Sequence, residues 1–124
     1  MKYKYSEHWT ATARDIATQL GLNYIALDQI AVIESQGSKT KRTIARIHTI
    51  GKVMQLGMNQ KPFYTIELLT EKFDKQNQEE KIKTIVHELL HIPACFGGGF
   101  RHHKPHVNAR TVEIEYQKIK DLYT

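Results

Sequence analysis

The chain has 124 residues, 40% of them hydrophobic and 25% charged, with a formal charge of +5, an ordinary composition for one globular domain spanning residues 1–124. No run approaches the ~18 consecutive apolar residues of a membrane-spanning helix, so no membrane partner is expected. The start of the chain, Met1 to His8, lacks an apolar signal core, and a cytoplasmic location is the expectation.

Ser6 is suited to cap a first helix, along which Trp9, Ala13, Ile16, Ala17 and Leu20 recur at helical spacing and which Gly21 stops. Trp9 reads as a core anchor. Tyr24 to Glu34 is rich in Ile, Leu and Val with partial alternation, which predicts a strand. A polar turn containing Gly37 follows. Lys39, Lys41, Arg42 and Arg46 gather positive charge nearby. Without aromatic interleaving or a helix-turn-helix or RNA-binding signature, this stretch reads as a solvated loop and strand edge, with nucleic acid a weakly supported partner. Thr43 to Met58 is ambiguous. Ile44, Ile47 and Ile50 suit a strand or a short helix, and Gly51 and Gly57 weaken both readings. After Lys61-Pro62, Phe63 to Leu69 predicts a strand. Asn108 is suited to cap a last helix striped by Val112, Tyr116, Ile119 and Tyr123.

The segment from Gln78 to Ile92 carries the chemistry. It has no internal Gly or Pro, and Ile82, Ile85, Val86 and Leu89 form one apolar stripe at helical spacing. His87-Glu88-Leu89-Leu90-His91 spells H-E-x-x-H, the zinc-peptidase signature. Residues four apart on a helix sit about 40° apart around its axis, so His87 and His91 can offer two imidazoles to one ion. Both lie off the apolar stripe and face a second surface that can form a cleft. Glu88 stands beside them, where a carboxylate can act as the general base on a metal-activated water. Pro93 should end the helix near His91 or Ile92.

A catalytic zinc takes three protein ligands and leaves one position open. Gly97-Gly98-Gly99 allows the chain to change direction, and Arg101-His102-His103-Lys104-Pro105-His106 then supplies histidines that can return to the pair. Spacing alone does not separate His103 from His106. Gly97 occupies the position of a third histidine six residues after the second, which excludes the longer zincin motifs. A glutamate ligand from the last helix, Glu113 or Glu115, remains open. Cys95, the single cysteine, excludes an internal disulfide and fits a reducing compartment. It reads as a small apolar loop residue rather than a ligand or nucleophile.

The order is helix, two or three strands, motif helix, loop, helix. Gly37-Ser38, Ala45-Arg46-Ile47, Pro62 to Glu67, Phe73-Asp74, the run His87 to Pro93, then Phe96, Gly98 and Arg101 to Lys104 together resemble a family of small metallopeptidases found in archaea and phages. The resemblance spans most of residues 30 to 124. It implies an α+β, zincin-like minimal core with an N-terminal helix, a small mixed sheet, the active-site helix and a C-terminal helix. It also implies metal-dependent hydrolysis of a peptide or protein substrate, and it favours His103 over His106 as the third ligand.

The expected function is therefore zinc-dependent peptide hydrolysis, with His87, His91 and His103 on Zn²⁺ and Glu88 as base. Arg101 and Tyr116 are candidates to stabilise the oxyanion. The alternative is a non-catalytic, zinc-containing module that binds a protein or nucleic acid, its ion closed by a fourth ligand among His102, His103 and His106. Glu88 argues against it, because a structural ion needs no base. A metal-dependent nuclease ranks last, because such enzymes do not generally set glutamate beside the first histidine of a helix-borne pair.

Overall fold

The computed structural model describes residues 1–123. A first strand, β1, runs Lys2–Tyr5 and is exposed throughout. The sequence predicts no strand here, because Lys-Tyr-Lys-Tyr lacks aliphatic alternation. The strand is held by backbone pairing, Lys2 opposite Gln36 through Tyr5 opposite Ile33. Helix α1, Glu7–Gln19, begins where Ser6 Oγ accepts from Trp9 N, and buries Ala13, Ile16 and Ala17. Gly21 at φ +69° then turns the chain.

Strand β2 is Ile30–Gln36. This corrects the expected start at Tyr24: a 3-10 turn, Leu27–Gln29, precedes it, and Ile25 is a buried anchor in the turn region. The ambiguous stretch 43–58 proves to hold both kinds of element. Ala45–Thr49 is strand β3, and Lys52–Met58 is helix α2. Gly51 divides them as the residue before the first helical turn. No residue of α2 is buried, which explains why apolar spacing was no guide to it. Strand β4, Tyr64–Leu69, lies inside the expected range.

The sheet order is β1-β2-β4-β3. β1 is antiparallel to β2, β2 is parallel to β4 from Ile30 opposite Tyr64 to Ser35 opposite Leu69, and β3 is antiparallel to β4. The fold is therefore α+β with a small mixed sheet. Side chains alternate between faces, and Tyr64, Ile66 and Leu68 point into the core with Ile30 and Val32. On the other face Glu67 is 2% exposed. Arg46 grips its carboxylate at 2.8 and 3.1 Å, and His48 Nε2 stands 2.7 Å away. Burial pushes the Glu67 carboxyl up, but hydrogen bonds led by Arg46 outweigh it and hold the group at about 2. This ties the edge strand β3 to its neighbour.

A single turn α3, Thr70–Phe73, follows β4. Helix α4, Gln78–Leu90, opens on a reciprocal cap between Asn77 and Glu80. It lays Ile82, Ile85, Val86 and Leu89 on the core, all 0% exposed. Burying such side chains contributes about 1.5–3 kcal/mol each, so the rotation of α4 about its axis is fixed. A short turn, α5, spans His103–His106. Helix α6, Ala109–Ile119, opens on a reciprocal cap between Asn108 and Thr111, and buries Val112, Tyr116 and Ile119. Tyr123 packs partly buried against the core. Among the described residues, no helix is long and apolar enough to cross a membrane.

Candidate metal centre

With the apolar stripe of α4 fixed against the core, His87, Glu88 and His91 line a cleft of about 980 Å³. Its walls are α4, the edge strand β3 from Ala45 to Ile47 with the residues before it, the segment Phe100 to His103, and Val112 and Glu113 of α6. His87 keeps 34% of its side chain exposed. Glu88 and His91 are 4% and 8% exposed. The burial of His91 exceeds what the helical wheel implies, because the segment after the glycines folds over it.

That segment makes two main-chain contacts with His91. Arg101 N donates to His91 O at 2.7 Å, and His91 Nδ1 lies 2.8 Å from Arg101 O. A carbonyl oxygen only accepts, so Nδ1 carries the proton and Nε2 presents its lone pair. Nε2 of His91 stands 3.3 Å from Nε2 of His87. Two nitrogens on one tetrahedral zinc at about 2.05 Å would be separated by roughly 3.3 Å. The pair is thus already spaced for one ion.

His103 completes the group. Its ring centroid is 4.6 Å from that of His91 and 5.4 Å from that of His87. The ligand-capable nitrogens of all three lie within 4.8 Å of one another. Burial, then the charges of His91 and His103, lower the pKa of His87 to about 4. Burial also lowers His91, against the Arg101 carbonyl, which raises it. The helix-borne pair is therefore neutral at pH 7, the form that binds metal. Three imidazole donors with no thiolate suit a borderline divalent ion.

Other candidates from the sequence stand elsewhere. His106 is exposed at the far end of the short turn, outside the cluster, and His102 lines the cleft without joining it. Glu113 is paired with Lys83 at 2.8 Å and Glu115 with Lys118 at 2.8 Å. Cys95 is exposed in the loop and is not among the clustered residues. Tyr116 is 3% exposed and belongs to the core, whereas Arg101 lines the cleft. The geometry separates the two histidines that spacing could not. His103→Ala should weaken zinc binding by about 100-fold, and His106→Ala should leave it unchanged, when both are titrated by calorimetry. A loss confined to His106→Ala would reverse the assignment.

Glu88 follows the first histidine on the same helix, its Oε2 4.0 Å from His87 Nε2. Burial raises its carboxyl to about 7. A carboxyl poised there can hold or release a proton near neutral pH, as a general base requires.

The family model described as "Putative phage metallopeptidase" matches residues 1–121. The chain belongs to this metallopeptidase family. No curated protein and no solved structure matches the chain. The family implies a metal ion, and the cluster on α4 and the short turn could hold one. Two contributors to the site were given no role in it by the sequence reading. One is the Arg101 main chain, which orients His91. The other is the edge strand β3, which forms the wall opposite α4.

Proposed function

We propose that the protein is a zinc-dependent peptidase. The observation that carries this reading is the convergence of three imidazole nitrogens beside a buried carboxylate on the wall of an open cleft. Residues 1–124 form one zincin-like unit on this reading. His87, His91 and His103 hold the ion, and a structural site would require a fourth protein ligand.

A divalent ion held by these three histidines would supply Lewis acidity and would lower the pKa of water from about 15.7 towards about 7. Glu88 takes a proton from the attacking water and delivers it to the departing amine. Its burial removes competing solvent from that exchange. Arg101, on the cleft wall, is the positive group available to offset the negative charge that develops on the carbonyl oxygen. The Arg101 carbonyl keeps His91 in the tautomer that leaves Nε2 free. The strand edge opposite α4 gives an extended polypeptide a wall to lie along.

The test uses a broad library of unstructured peptides. Zinc-loaded protein should cleave it, a chelator should stop cleavage, and one equivalent of zinc should restore it. A protein carrying one zinc per chain that cleaves no peptide would overturn the reading.

A further inference from the structure

The loop between the motif helix and the third histidine is held by two side chains that lie far from it in sequence. Tyr64, at the start of β4, is 0% exposed. Its Oη accepts from Gly98 N at 3.0 Å and donates to Gly99 O at 2.7 Å. Burial raises the phenol above its ordinary value, so it stays protonated and keeps both bonds. Its ring packs on Phe96 and Phe100, with centroids 5.0 and 5.8 Å away. From α2, Gln55 Nε2 donates to Gly97 O at 2.9 Å and to Ile50 O at 2.7 Å. Gly98 has φ +107°, and a Cβ there would stand 2.5 Å from Gln55 Nε2 and 2.6 Å from Ile50 O. The seat admits no side chain. Three successive residues, Gly97, Gly98 and Gly99, are thus tied down. Two residues later Arg101 is bonded to His91, and two residues after that His103 enters the cluster.

We infer that Tyr64 and Gln55 are positioning residues for the metal centre, fixing His103 by clamping the glycine loop. This rests on the peptidase reading for its metal, but the clamp itself is a property of the loop. The hydroxyl is the informative atom. A core position filled for packing alone would be served by Phe, without the cost of burying a polar group. Here the hydroxyl bonds the loop main chain on both sides, as acceptor from Gly98 N and donor to Gly99 O.

The experiment is a double-mutant cycle in zinc affinity. Tyr64→Phe removes only the hydroxyl. It should keep the metal-free fold by circular dichroism and weaken zinc binding by about 10–100-fold, the range for groups that orient a ligand. It should also change the ligand-field spectrum of the cobalt-substituted protein. In a His103→Ala background the same change should cost less than about 2-fold, because its effect runs through His103. An equal loss in both backgrounds, or none in either, refutes the assignment and leaves Tyr64 a packing residue. Gln55→Ala carries the same cycle if Tyr64→Phe does not fold. Amide exchange at Gly98 and Arg101 in the metal-free protein separates the two readings. Faster exchange in Tyr64→Phe, with no zinc bound by the wild type, would uphold the clamp and defeat the metal site. Unchanged exchange would defeat the clamp.

Discussion

Glu88→Gln should lower peptide turnover by about 10²–10⁴-fold while zinc stays bound, as expected when a general base is removed and its shape kept. Metal content and single-turnover cleavage, measured on the same sample, check this. Cleavage at the wild-type rate would remove Glu88 from the mechanism. The same variant should change the stability of the metal-free protein in a defined direction. Burial raises Glu88 from 4.5 to about 7. The folded chain therefore holds this proton more tightly than the unfolded chain. Stability falls as pH rises from about 4.5 to 7, and the full cost is present above 7. At 1.4 kcal/mol per unit the cost is roughly 3 kcal/mol. Metal-free Glu88→Gln should then melt several degrees higher than wild type at pH 8, and no higher at pH 4. His87 has the opposite slope. Its lowered pKa, about 4, makes stability rise with pH between 4 and 6.5. A residue whose removal stabilises the fold and abolishes turnover marks a site selected for chemistry.

The double variant His87→Ala/His91→Ala should bind no measurable zinc, a loss of about 10⁴-fold or more. Four-ligand structural sites bind zinc with about 10–16 kcal/mol, which is roughly 3 kcal/mol per ligand. Each single variant should lose about 10²–10³-fold. His91→Ala should cost more than His87→Ala, because it also removes the bond from Nδ1 to the Arg101 carbonyl. Competition against a chromophoric chelator measures both. One zinc per chain in the double variant would place the metal elsewhere.

The helix that carries the motif was legible in the sequence because its signals agree. The apolar stripe, the absence of internal Gly or Pro, and Pro93 all specify the same segment, and α4 ends at Leu90 with His91 as its cap. The strand at Phe63 to Leu69 was legible for the same reason. β1 was not, since a strand that buries nothing leaves no aliphatic pattern, although Lys and Tyr do alternate along it. The stretch 43–58 was undecided because it holds two elements shorter than the window needed to tell periods 2 and 3.6 apart. Within the site, local spacing placed His87 and His91 on one face. The proximity of His103 depends on contacts from Tyr64 and Gln55, which are 39 and 48 residues away, and no local pattern encodes those. Family resemblance supplied the preference that spacing could not.

The loop over His91 is secured almost wholly through its own main chain. The contacts use Gly97 O, Gly98 N, Gly99 O, and the amide and carbonyl of Arg101. A main-chain atom is the same whatever residue bears it. His102, whose side chain makes none of these contacts, is thus open to sequence drift with little effect on where the third histidine sits, and a mutational scan would be permissive there. Gly98 is the exception. Its neighbours leave no room for a methyl group, so one substitution there would disturb the loop more than exchanging the larger side chain of His102.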